Sequence, residues 1–221
     1  MILLYWCNMR DKKVFSLVSL ITALIILVLS FSVLISSVAK NSGKLNFLIF
    51  FTYQSVLLVG LAAMFHMFNY DGVNKKFFKV LAEVALFDII VTCLVYNIIL
   101  VGELREAGIT PSFIDIIAHL VIPILYLLFY IVFVEDHLKL KQFYFLMIHP
   151  LLYGLVSLIL NWTNTVIMNG KTYVYSFFDV SSDSRNYFRL LELLVLGVIL
   201  SLGIVYAKIA EEKRINAVNN K

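Results

Sequence analysis

The sequence predicts an all-α polytopic membrane protein: a bundle of six transmembrane helices forming one domain over residues 1–221, with both termini cytoplasmic. Three observations carry that expectation. The chain is 62% hydrophobic and only 14% charged, whereas soluble domains run at roughly 45 to 50% apolar and about 25% charged. It holds six apolar stretches of about the 20 residues that a helix needs to cross the hydrocarbon. Its basic residues gather on one side of those stretches, as they do in cytoplasmic loops. A mean hydropathy of +0.93 with three prolines and nine glycines excludes a disordered, collagen-like or low-complexity chain.

The spans fall at about 14–38, 45–68, 79–101, 112–134, 139–162 and 187–209. In the first, Ser37-Val38-Ala39 has the small residues of a signal cleavage site. Its apolar run exceeds the roughly 7 to 15 residues of a signal core, so it reads as a retained helix. Lys40-Asn41-Ser42-Gly43-Lys44 separates it from the second span, Asn69-Tyr70-Asp71-Gly72 ends the second, and Gly108-Ile109-Thr110-Pro111 ends the third. Nothing between spans is long enough for a soluble domain. Arg10, Lys12, Lys13, Lys75, Lys76, Lys79, Lys139, Lys141, Lys208, Lys213, Arg214 and Lys221 fall on the side of the termini; Lys40, Lys44, Arg105, Lys171, Arg185 and Arg189 fall on the other. The net charge of +4 therefore reflects orientation in a cell membrane rather than a nucleic-acid surface, which would need a clustered basic stripe.

Polar groups inside hydrocarbon cost free energy unless paired or lining a cavity, so each is a functional candidate. At 1.5 Å per residue, Thr52 and His119 each lie about 10 Å, and Thr92 about 13 Å, below the outer ends of their spans. Thr52 and Ser55 share a face of span two; Asp88, Thr92 and Tyr96 form a stripe on span three; Asp115, His119, Pro123 and Tyr126 form one on span four. Such hydroxyls also serve simply as interhelical bonds. His119 stands apart because an imidazole exchanges protons near neutral pH, and Asp115, one turn outward, either orients it or is a solvated carboxylate at the interface. His66 and His137 sit where water and headgroups satisfy them, and His149 precedes Pro150, where it would bond a carbonyl that the proline frees. Neither Cys7 nor Cys93 belongs to a paired spacing, no HxxxH, HExxH or CxxC occurs, and phosphate-loop and GxSxG patterns are absent. No metal and no cofactor is implied.

Five short motifs carry a family resemblance. They are Phe51-Thr52-Tyr53-Gln54-Ser55, Val91-Thr92-Cys93-Leu94-Val95-Tyr96, His119-Leu120-Val121-Ile122-Pro123, Pro150-Leu151-Leu152-Tyr153 and Tyr173-Val174-Tyr175-Ser176-Phe177-Phe178-Asp179-Val180. In this order they resemble bacterial six-span proteins similar to the androgen-induced protein family of eukaryotes. That resemblance implies a six-helix membrane fold and an intramembrane hydrolase that cleaves fatty acid esters of hydroxy fatty acids. Carried over by motif, its threonine nucleophile would be Thr52 and its histidine His119. The chain departs from the family pattern at Val56, Asn97, Val174 and Ser176.

The expected function is thus hydrolysis of a lipid (fatty acyl) ester. Thr52 is the nucleophile and His119 the base; Ser55, Asp88, Thr92, Tyr96 and Asp115 support the site or donate to the oxyanion. Tyr173, Tyr175, Phe177 and Asp179 form an outer mouth. The expected partner is a membrane lipid or lipid ester and not nucleic acid, with the oligomeric state unspecified. Two other classes fit the composition. One is a proton- or ion-coupled small carrier using Asp88, His119, Asp115 and Glu192; the other is a structural or regulatory membrane protein whose polar residues only join helices.

Overall fold

A computed structural model describes residues 12–40, 45–68, 75–134, 138–167 and 170–219. Cys7, His137 and the polar breaks at 41–44 and 69–72 lie outside the described residues. Within them the chain is helical, without a β-strand. Helix α1 is Lys12–Lys40. A 3₁₀ turn, Leu45–Ile49, precedes α2, Phe51–Met67. Helix α3 runs Lys75–Val95, widens into a π-turn at Tyr96–Leu100 and finishes as Val101–Glu106. Helix α4 starts at Phe113–Ile116, passes through a second π-turn at Ile117–Val121 and continues over Ile122–Phe133. A 3₁₀ turn at Leu140–Gln142 leads into α5, Tyr144–Trp162, and after a loop with a 3₁₀ turn at Ser176–Phe178 comes α6, Arg185–Asn219.

Five of these helices are long and apolar enough to cross a membrane, and the surface is apolar in the same sense. Leu17, Ile21, Leu24 and Val28 on α1, Leu151 and Leu155 on α5, and Val195 and Ile199 on α6 are exposed, while Ser30, Ser55, Glu83 and Asp88 are fully buried. An exposed apolar surface of that extent is untenable in water and ordinary against lipid. These helices make the chain a membrane protein.

Helix α2, at 17 residues, spans only about 26 Å, short of the ~30 Å hydrocarbon. The sequence suggests one continuous helix over 45–68; instead the chain turns at Phe50, whose backbone is extended (φ −82°, ψ 132°). Irregular backbone at membrane depth survives only where its polar groups are satisfied by protein. Here Gln54 Nε2 donates to Leu48 O at 2.7 Å and Tyr153 Oη to Ile49 O at 3.0 Å. The break is therefore built in, and it sets Thr52 on the first turn of a helix.

Other boundaries move for local reasons. Helix α3 continues past 101 to Glu106 because nothing breaks it before Gly108, which adopts φ +70° and closes a Schellman cap: Gly108 N–H donates to Arg105 O and Ile109 N–H to Leu104 O. Helix α6 outruns the apolar span because Glu211, Glu212, Lys213 and Arg214 are good helix formers outside hydrocarbon. The last carbonyls of α4, from Ile131 and Val134, accept from Lys208 Nζ of α6.

Helix α3 is central, packing against α2, α4, α5 and α6, while α1 covers α2 and α4. The α1–α2 seam is close because small residues line it: Ser19, Ala23, Ser30 and Ser37 recur on one face of α1, and a Cβ on Gly60 would come within 3.2 Å of Ser30 Cβ. His66, expected to meet water and headgroups, is instead tied across this seam, 2.5 Å from Ser19 Oγ. The seam among α3, α5 and α6 is looser and holds a cavity.

Candidate functional site

Thr52 is the second residue of α2 and His119 lies inside the π-turn of α4, 67 residues later, yet Thr52 Oγ1 and His119 Nε2 are 3.1 Å apart. Both are more than nine-tenths buried. The tautomer follows from the second ring nitrogen. His119 Nδ1 is 2.8 Å from the backbone carbonyl of Asp115, which can only accept, so Nδ1 carries the hydrogen. Nε2 then presents its lone pair to the Thr52 hydroxyl, the arrangement in which a histidine takes a proton.

Asp115 therefore orients the imidazole through its main chain. Its carboxylate is engaged in a capping box at the start of α4, where Asp115 Oδ2 accepts from Ser112 N–H at 2.8 Å and from Ser112 Oγ at 2.7 Å. The ring of Tyr96 lies on His119, centroids 3.7 Å apart and planes within 12°. Each partner sits in a π-turn, and Asn97 Nδ2 joins the two turns by donating to Cys93 O at 2.8 Å and His119 O at 3.4 Å. A π-turn slips the helical ladder by one residue; Ile122 N–H reaches back to Ile117 O.

Ser55 and Thr92 are close by, but their protons are committed. Thr92 Oγ1 donates to Ser55 Oγ at 3.0 Å, and Ser55 Oγ donates to Phe51 O at 2.9 Å. Neither hydroxyl is free to donate to an oxyanion. The first turn of α2 is better suited. Phe50 supplies no side-chain cap, and while Tyr53 N–H donates to Phe50 O at 3.2 Å, the Phe51 and Thr52 N–H groups precede the helical ladder and face the Tyr175 oxygen. The Tyr175 phenol lies against the Thr52 hydroxyl and the Phe51 and Thr52 backbone; burial, foremost, pushes its pKa up and keeps it a neutral donor.

Asp88 is paired with His149, to which the sequence gives less weight. His149 Nδ1 is 2.6 Å from Asp88 Oδ2, and His149 Nε2 is 2.9 Å from Gln54 Oε1. Because Leu48 O holds the amide nitrogen of Gln54, the amide oxygen faces His149, and Nε2 must donate. One further proton is then shared between Nδ1 and the carboxylate. His149 does not bond a carbonyl freed by Pro150; a fully buried carboxylate is the stronger claimant. The Phe51 ring stacks on His149 at 5.2 Å. This triad braces the turn carrying Thr52 from the side opposite His119. An intramembrane Asp requires a partner, and that requirement was the sequence signal for His149.

A cavity of about 360 Å³ opens beside Thr52 among α3, α5, α6 and the loop before α6. Its polar lining comes from Thr52, Thr92, Tyr153 and Tyr175; the remainder is apolar. Of the mouth residues expected from sequence, Tyr175 and Phe177 line it, joined by Phe178. Tyr173 lies under the Lys171 ammonium at 5.4 Å. Asp179 shapes the loop: its carboxylate accepts from Ser181 and Ser182, which hold its pKa below the usual carboxylate range, and its carbonyl accepts from Asn186. Ser176 Oγ ties the loop to Glu103 of α3. Among the described residues, no group of three or more His, Cys, Asp or Glu is arranged to hold a metal ion. No family model, curated protein or solved structure matches the chain.

Proposed function

We propose that the chain is an intramembrane hydrolase of lipid (fatty acyl) esters, with Thr52 as nucleophile and His119 as base. The observation that carries this reading is the 3.1 Å contact between Thr52 Oγ1 and the lone-pair nitrogen of His119, beside an apolar cavity. The motif resemblance to the androgen-induced protein family supports the same assignment. In the reaction, Thr52 Oγ attacks the acyl carbonyl while its proton passes to His119 Nε2. The developing oxyanion accepts from the Phe51 and Thr52 N–H groups, in place of the Tyr175 oxygen they face, and from the Tyr175 hydroxyl. The C–O bond to the leaving alcohol breaks, and the alcohol takes the proton from His119. Water then attacks the acyl-threonine, gives a proton to His119, and the acid departs as Thr52 regains it. The Asp115 carbonyl holds the ring in the required tautomer throughout.

The same proposal includes six spans, with α2 and its 3₁₀ lead-in making the sixth, both termini cytoplasmic, and residence in the cell membrane. The Lys/Arg asymmetry supports that orientation. The decisive experiment is labelling of the purified protein with a lipophilic fluorophosphonate and mapping of the adduct. An adduct on Thr52 supports the hydrolase; no adduct under conditions that label a serine esterase control sinks it. The pairing of fully buried Asp88 with half-buried His149 favours a second reading, a proton-coupled carrier. That reading requires the reconstituted protein to dissipate a pH gradient and Asp88→Asn to abolish the flux.

A further inference from the structure

The inner end of the cavity is lined by three helices, and on α6 the lining reaches Leu200, one turn beyond Gly197. Phe87 is its innermost lining residue on α3 and Met147 its innermost on α5, both buried. They converge on Gly197 of α6: a Cβ there would come within 3.1 Å of Met147 Cε, 3.3 Å of its Sδ and 3.7 Å of Phe87 Cζ. Beneath them the interior is solid, with Phe87 and Met147 packed into a cluster with Leu138, Leu146 and Val205. Above it the cavity opens between α5 and α6, where Leu151, Leu155, Leu194 and Leu196 are exposed, and Leu100, Leu158 and Leu190 at the outer end are half-buried.

Resting on the hydrolase reading, we infer that Gly197, Met147 and Phe87 form a floor that measures the acyl chain, and that the preferred acyl group is medium-length. The depth follows from helix rise. Phe87 lies five residues below Thr92 on α3, and Met147 six below Tyr153 on α5, which places the floor about 7.5 to 9 Å under the hydroxyl level. An extended chain gains about 3.6 Å for every three bonds. That depth therefore takes about six to eight carbons beyond the carbonyl. Gly197 keeps this end open, because a side chain there meets Met147 and takes up the lining space that the glycine leaves.

Two measurements on three proteins test the floor: the wild type, Gly197→Leu and Met147→Ala. The first is kcat/KM for p-nitrophenyl butanoate, octanoate, dodecanoate and hexadecanoate. The second is thermal stabilisation of the same floors on a Thr52→Val background by methyl butanoate, octanoate and dodecanoate, which needs no turnover. The wild type should prefer octanoate. Gly197→Leu should cut the octanoate-over-butanoate ratio by roughly tenfold or more, and Met147→Ala should move the optimum to dodecanoate. Because the two variants shift in opposite directions, general damage cannot mimic the result, and Met147→Ala suffices if Gly197→Leu does not fold. Turnover with one unshifted profile in all proteins overturns the floor and leaves the hydrolase standing. Shifted stabilisation profiles with no ester turned over overturn the hydrolase and leave the floor. No turnover of any ester together with stabilisation that does not depend on chain length overturns both.

Discussion

Thr52 and His119 owe their relationship to side-chain roles that a single substitution can separate. Thr52→Val keeps shape and removes the nucleophile, so ester turnover should disappear while the detergent melting temperature barely moves. His119→Ala should also abolish turnover, and it should lower stability as well, because Tyr96 loses the ring stacked on it. Thr92→Val leaves the Ser55 bond to Phe51 O intact. It removes one interhelical bond worth about 0.6 kcal/mol and should slow turnover less than the roughly 10²-fold loss of an oxyanion donor. Turnover and melting measured on the same three preparations check the ranking. Full activity in Thr52→Val would exclude Thr52 as nucleophile. At this scale the sequence was informative about identity and less so about partners: it singled out Thr52 and His119 by depth and placed Asp115 one turn away, without saying whether its carbonyl or its carboxylate would meet the imidazole. Side-chain spacing along a helix says which groups share a face. It does not say which of two acceptors on one residue is closer.

Between elements, the Asp88–His149–Gln54 triad, its carboxylate fully buried and the other two half-buried, fastens α3, α5 and α2 at the level of the break before α2. Removing the partner of a buried carboxylate strands it, at a cost of about 3 to 5 kcal/mol. His149→Phe should therefore destabilise the protein far more than Thr92→Val, and the double variant Asp88→Leu/His149→Phe should recover much of the loss, since it removes the stranded carboxylate and leaves only the half-exposed Gln54 oxygen without its donor. Equilibrium unfolding in bicelles resolves the three. Equal destabilisation by the single and double variants would argue against a coupled pair. The two π-turns also belong to this scale. Nothing in the local sequences Tyr96–Leu100 and Ile117–Val121 distinguishes a π-turn from an α-helix, because both have the same apolar character; Asn97 and the His119–Tyr96 stack act only once α3 and α4 are side by side.

For the whole molecule, the inner end of the cavity lies about 18 Å down α6 from the loop before it, near the middle of the bundle. The proposed topology puts that loop outside and the end of α6 in the cytoplasm. Thiols introduced at Ser181 and Lys213, both exposed, should label from opposite faces of the membrane in a variant lacking Cys7 and Cys93: Ser181→Cys from outside intact cells, Lys213→Cys only after permeabilisation. External labelling of Lys213→Cys in intact cells would invert or break the arrangement.

What the sequence determined by itself was the class of solvent and the helices that meet it. Hydropathy and length act locally, so runs of about 20 apolar residues fix membrane helices whatever their neighbours, and buried polar residues mark themselves because hydrocarbon penalises them. The tertiary structure decided the rest: that α2 begins at Phe51, that His119 Nε2 faces Thr52, that His149 belongs to Asp88, and that a cavity beside Thr52 has Gly197 in its lining. Each depends on groups from two or three helices meeting within a few ångströms. Packing shape and the hydrogen-bond demands of neighbouring chains set those meetings, and no single stretch of sequence contains them.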